Sequence, residues 1–63
     1  MQEWQERVIE EKAELDDKLK RLIEFQNSDK FQNLPSDQIK WLNRQRMIME
    51  LYSHILAERI TLF

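Results

Sequence analysis

The sequence predicts an all-α chain built as an antiparallel helical hairpin, and three observations carry that expectation. Its 63 residues include no glycine, one proline and no cysteine. Charged side chains make up 35% of the chain, in a composition rich in Glu, Lys, Arg, Gln and Leu, which lose little rotamer freedom in a helix. Two long stretches with helical apolar spacing flank one short interruption. The expected organisation is a single helical domain, residues 1–63, with helix one at about 2–26, a corner at about 27–35 that has room for a helical turn, and helix two at about 36–61.

Helix one has nothing to break it between Gln2 and Gln26, and Trp4, Val8, Leu15, Leu19, Leu22 and Ile23 fall within about one 100° stripe. Asn27-Ser28-Asp29 supplies the stop: asparagine tolerates a left-handed angle, and Ser28 is placed to cap a turn through Phe31. Pro35 suits a helix start and not a helix interior, so Leu34-Pro35-Ser36-Asp37 opens helix two. That helix repeats on two adjacent heptad lines, Trp41, Ile48, Ile55, Leu62 and Leu42, Met49, Leu56, Phe63. With Leu51 and Tyr52 they span about half its circumference. One stripe on helix one covers only part of such a face, so the remainder is expected to meet further copies in a compact homo-oligomer.

The same arithmetic restricts function. Without glycine there is no phosphate-cradling loop or nucleophile elbow, and without cysteine no disulfide or thiolate metal site. His54 alone cannot hold a metal, so neither an enzyme nor a cofactor is expected. No apolar run approaches the roughly 18 residues of a membrane span. Mean hydropathy is −0.75. Net charge is −2 but uneven: residues 1–17 hold seven acids against Arg7 and Lys12, and residues 18–63 hold eight bases against five acids. Helix-dipole complementarity or acidic-to-basic pairing explains that asymmetry as well as an anion-binding surface does.

Polar residues on apolar faces single out candidates. Arg59 shares the azimuth of Trp41 and Tyr52, with Gln45 close by, and a guanidinium there needs an anion. An acidic residue from helix one of another chain and a phosphate-bearing ligand both satisfy it. Trp4 and Lys18 share an edge of helix one about 21 Å apart, too far for one small ligand in one chain. Antiparallel pairing of two chains brings Trp4 of one near Lys18 of the other, an aromatic plate beside a cation. The cluster Glu10, Glu11, Glu14, Asp16, Asp17 reads as a solvated face, and His54 as a solvated residue. Lys40, Arg44 and Arg46 beside Trp41 are a thin footprint for polymeric nucleic acid, which is not an expected partner.

The segments Trp4 to Leu19 (WQERVIEEKAELDDKL), Phe25 to Phe31 (FQNSDKF) and Met49 to Ile60 (MELYSHILAERI) together resemble the short phage-encoded anti-CBASS proteins that sequester cyclic oligonucleotide signals. The likeness covers nearly the whole chain. It implies a helical homohexamer that holds cyclic dinucleotides and cyclic trinucleotides without cleaving them, in the cytoplasm of the infected bacterial host. It assigns dinucleotide binding between protomers to Trp4 and Lys18. Tyrosine is usual at the aromatic position, so Trp4 departs from the pattern and leaves the preferred base open. Arg59 takes the arginine role of a separate trinucleotide site, and Lys20 joins it. Arg7 completes the candidate ligand-binding set. The alternative expectation is a small oligomeric helical scaffold with no ligand.

Overall fold

The computed structural model describes all residues, Met1–Phe63, as three helices: α1 (Glu3–Gln26), α2 (Asp29–Gln32) and α3 (Ser36–Thr61). α1 and α3 pack antiparallel into a hairpin 46 Å long and 15 by 13 Å across, and α2 is a single turn in the corner. No helix is long and apolar enough to cross a membrane.

Local chemistry sets each boundary. At the start of α1 the Gln2 backbone N–H donates to Gln5 Oε1 at 2.9 Å, satisfying a donor that has no helical partner. At its end Asn27 keeps φ at −88°, and no residue in the chain has positive φ. The expected left-handed stop is therefore absent. Ser28 does not cap α2 with its side chain either; its hydroxyl turns back and donates to the Phe25 carbonyl at 2.6 Å. The same carbonyl accepts the Ser28 backbone N–H at 3.0 Å, so the helix closes on an ordinary turn with no unusual backbone angle. Phe25 and Phe31 meet edge to face across the corner, centroids 6.0 Å apart. Pro35 precedes α3, and its carbonyl accepts from Gln38 N and Ile39 N.

The two long helices meet along seams spaced alternately three and four residues apart, as in a coiled coil. On α1 the less exposed positions run Gln5, Val8, Lys12, Leu15, Leu19, Leu22, Gln26, and on α3 they run Ile39, Leu42, Arg46, Met49, Ser53, Leu56, Ile60. Only Val8 and Leu56 are fully buried. Leu42, Met49 and Leu56, from one of the two expected heptad lines, face α1. The other line, turned by roughly 100°, is left open: Trp41 is 58% exposed, Ile48 66% and Leu62 85%. Gln45, Tyr52 and Arg59 continue this outer line in the same three-four spacing. α3 thus carries two seams, one of which a single chain covers.

The inner seam is partly polar, and its polar members answer one another. Lys12 Nζ donates to Asp16 Oδ2 at 2.6 Å and to Ser53 Oγ at 3.3 Å, while the Ser53 hydroxyl donates to Asp16 Oδ1 at 2.5 Å. Near the corner Arg46 Nη1 donates to Gln26 Oε1 at 3.0 Å, and Gln26 Nε2 donates to Asn43 Oδ1 at 3.2 Å. No buried side-chain polar atom lacks a partner. Sliding the helices by one position would break both groups, so they fix the register that a thin apolar core holds weakly.

Candidate functional site

The hairpin brings the first turn of α1 against the last turn of α3, and a cleft of about 230 Å³ opens there, lined by Trp4, Arg59, Leu62 and Phe63. Trp4 lies at the start of α1, where the neighbouring helix is ending, and it remains 49% exposed. Two contacts orient its indole. Nε1 donates to Gln2 Oε1 at 3.0 Å, and the Phe63 ring meets it edge to face with centroids 5.1 Å apart. Arg59 reaches the same cleft from α3, and no carboxylate lies within 4.0 Å of its guanidinium. The neighbouring Glu58 instead approaches His54 at 3.9 Å.

An oriented aromatic plate beside a cation without a counter-ion suits a ligand that has both a π face and an anionic group. Arg59 stands in an open cleft rather than a closed apolar interface, and within one chain it makes no ion pair with an acid of α1. Glu11 of α1 accepts the Tyr52 hydroxyl. That hydrogen bond raises the Tyr52 hydroxyl above its ordinary value of 10.0, with some desolvation and the Glu11 charge in the same direction, while the Arg59 charge opposes the rise.

Trp4 and Arg59 were expected in separate ligand sites, and the chain places them in one cleft. Lys18 lies on the same unbroken helix as Trp4, about 21 Å along its axis, exposed and free of any ion pair. It joins Trp4 only across two chains. Lys20 is also exposed and unpaired, and leaves α1 about 200° around from Lys18. Arg7 is engaged: Nη2 contacts Glu3 Oε1 at 2.5 Å one turn back, so its charge is locally matched.

Two readings of the charged residues change with the hairpin in view. Asp16, grouped with a solvated acidic face, is half-buried in the seam, and the Lys12 and Ser53 hydrogen bonds hold its carboxyl below the ordinary 3.8 against a smaller opposing effect of burial. Arg46, grouped with the exposed bases near Trp41, is turned into the seam and held by Gln26 and by Glu50 at 3.2 Å. The bases that do flank Trp41 are Lys40, with Nζ 5.3 Å from the ring centroid, and Arg44, with Cζ 4.7 Å from it. Phe63 and Leu62 were read as packing residues, and both line the Trp4 cleft. The signal for Phe63 was its heptad relation to Leu56, which points it back toward α1 and so to Trp4.

Neither the curated proteins nor the solved structures contain a match to this chain. The Sequestin family model, by contrast, spans residues 2–62, the whole hairpin from the Gln2 cap to the cleft-lining Leu62, and on that match the chain belongs to the Sequestin family.

Proposed function

We propose that this chain is a phage immune-evasion protein that captures cyclic oligonucleotide second messengers, cyclic dinucleotides such as cyclic GMP-AMP and cyclic trinucleotides, and withholds them from CBASS effectors without cleaving them. The family points to a sequestering role. The observation that carries the ligand class is the shared cleft of Trp4 and the uncompensated Arg59. An indole stacks a nucleobase, and a guanidinium with no carboxylate partner binds a phosphodiester by charge-assisted hydrogen bonds.

Capture is stoichiometric in this reading, so affinity must come from enclosure rather than from chemistry. One chain offers an open cleft and a distant Lys18, which makes the working unit a homo-oligomer, a hexamer by the resemblance, with ligand held at the joints between copies in the host cytoplasm. The open outer line of α3 supports that assembly, because a contiguous apolar stripe of this length is unusual on a chain that stays alone.

A thermal-shift series with cyclic GMP-AMP and with cyclic tri-AMP tests the reading. Ligand that binds the folded assembly raises its melting temperature by mass action, and chromatography of the released nucleotide should return it intact. A folded protein whose melting temperature moves with neither ligand would be a helical scaffold instead.

A further inference from the structure

The outer line of α3 is self-complementary when it runs antiparallel to itself. A two-fold axis crossing α3 near Leu51 sets Ile48 against Tyr52 of the second copy, Gln45 against its Ile55, and Trp41 against its Arg59, each pairing made twice. The same arrangement brings Leu51 beside its own counterpart and Arg44 beside the second copy's Glu58. Apolar side chains thus meet apolar ones, a cation meets an aromatic face, and opposite charges flank the joint. Sliding the pair by one heptad would in one direction put Arg59 on Ile48 and leave Trp41 beyond the end of its partner, and in the other put Trp41 on Tyr52 and carry Arg59 past the start of α3. A parallel in-register pair would stack Arg59 on Arg59. All of these side chains lie on the exposed side of α3, and neither Arg44 nor Arg59 has a carboxylate within 4.0 Å in the single chain.

We infer that α3 pairs antiparallel with α3 of a second copy along this outer line, and that Trp41 of each copy completes the Trp4–Arg59 cleft of the other as a second aromatic plate for a nucleotide. The second clause rests on the proposed function; the pairing does not. Trp41 arrives with Lys40 and Arg44 already against its ring, at 5.3 and 4.7 Å. The joint therefore supplies two indoles and, besides the Arg44 that Glu58 matches, the cations Arg59 and Lys40, where one chain supplies one of each to the cleft. Phosphates bound there are met by Arg59 from one chain and by Lys40 from the other, and a base can be held between Trp4 and Trp41.

The chain has no cysteine, so single cysteines report the pairing with a short bismaleimide. Leu51→Cys should cross-link to itself. Ile55→Cys should not cross-link to itself but should cross-link to a Gln45→Cys chain. Self-linking by Ile55→Cys, or no linking by Leu51→Cys in protein whose circular dichroism is unchanged, would overturn the pairing. For the site, the probes are fluorescent cyclic GMP-AMP and cyclic tri-AMP. Trp41→Ala and Arg59→Ala should each weaken binding of one or both by about tenfold or more. Mixing the two variants after unfolding and refolding should restore tight binding at about one quarter of the sites, because some joints then hold an intact Trp41 and Arg59 from different chains. No recovery on mixing, or normal binding by Trp41→Ala, would overturn the shared site. If the unmutated protein binds neither probe, the proposed function and the shared site fall together, and the cross-links still decide the pairing.

Discussion

Arg46 reaches across the seam of the hairpin to Gln26, its Nη1 donating to the Gln26 side-chain carbonyl at 3.0 Å while its Nε holds Glu50 on its own helix. A guanidinium at a seam position is matched here without a buried carboxylate. It acts as a register pin and contributes little to the apolar core. Arg46→Ala should lower stability by about 1–2 kcal/mol. The double variant Arg46→Leu with Gln26→Leu should be neutral or more stable, because two apolar groups replace a satisfied polar pair. Urea melts of the parent and the two variants separate these outcomes, and a double variant less stable than Arg46→Ala would contradict the role.

Leu56 is 0% exposed and, with Val8, forms the whole of the fully buried core. Leu56→Ala should cost about 2–4 kcal/mol, a large share of what so small a chain has. Leu62→Ala, at a residue 85% exposed, should leave the single-chain stability unchanged within about 0.5 kcal/mol. Thermal melts at the lowest workable concentration, where assembly contributes least, make the comparison.

Asp16 carries a pH dependence whose direction is fixed by its partners. Lys12 and Ser53 hold the folded carboxyl below 3.8, so the unfolded chain takes up the proton first as pH falls. The stabilisation is complete above 3.8 and is lost as pH drops through the lower folded value. Asp16→Asn should therefore flatten the fall of melting temperature between about pH 5 and about pH 2. A fall as steep as in the parent would mean that other carboxylates govern acid sensitivity.

Trp4 and Phe63 should be separable by ligand and by stability. Phe63→Ala removes an edge-to-face contact and should cost about 0.5–1.5 kcal/mol in stability. Trp4→Phe keeps an aromatic face but loses the Nε1 donor to Gln2. It should retain most binding of cyclic nucleotides, whereas Trp4→Ala should lose about tenfold or more. Calorimetric titration reads both, and equal loss in Trp4→Phe and Trp4→Ala would put the indole N–H, not the ring face, at the centre of recognition.

The helices and the corner are legible in the sequence because their signals are local. Apolar spacing, the Asn27–Asp29 interruption and Pro35 each act within a few residues. The outer line of α3 is legible too, since Trp41, Ile48 and Ile55 exceed what one partner stripe can cover. What a single strand of text conceals is the polar half of the seam. Lys12, Arg46 and Ser53 look like surface residues when polarity is equated with exposure, and only the opposing helix brings Ser53 to Lys12 and Asp16, and Gln26 to Arg46. The joining of Trp4 to Arg59 was hidden for the same reason: their meeting depends on the lengths of both helices and on the corner between them. Asn27 shows the converse, a local tolerance of a left-handed angle that goes unused, because the Ser28 N–H and hydroxyl both bond the Phe25 carbonyl with Asn27 φ at −88°.

No residue of the chain has positive φ, and none of its turns needs glycine. Every backbone position is therefore open to any ordinary side chain, apart from the proline that begins α3. A protein of this kind has no conformational anchors that selection must keep, and its constraints lie in what the side chains touch. Residues such as Trp4, Trp41 and Phe63 can be exchanged one at a time while the hairpin persists, so a lineage can change what it captures without first rebuilding the scaffold that captures it.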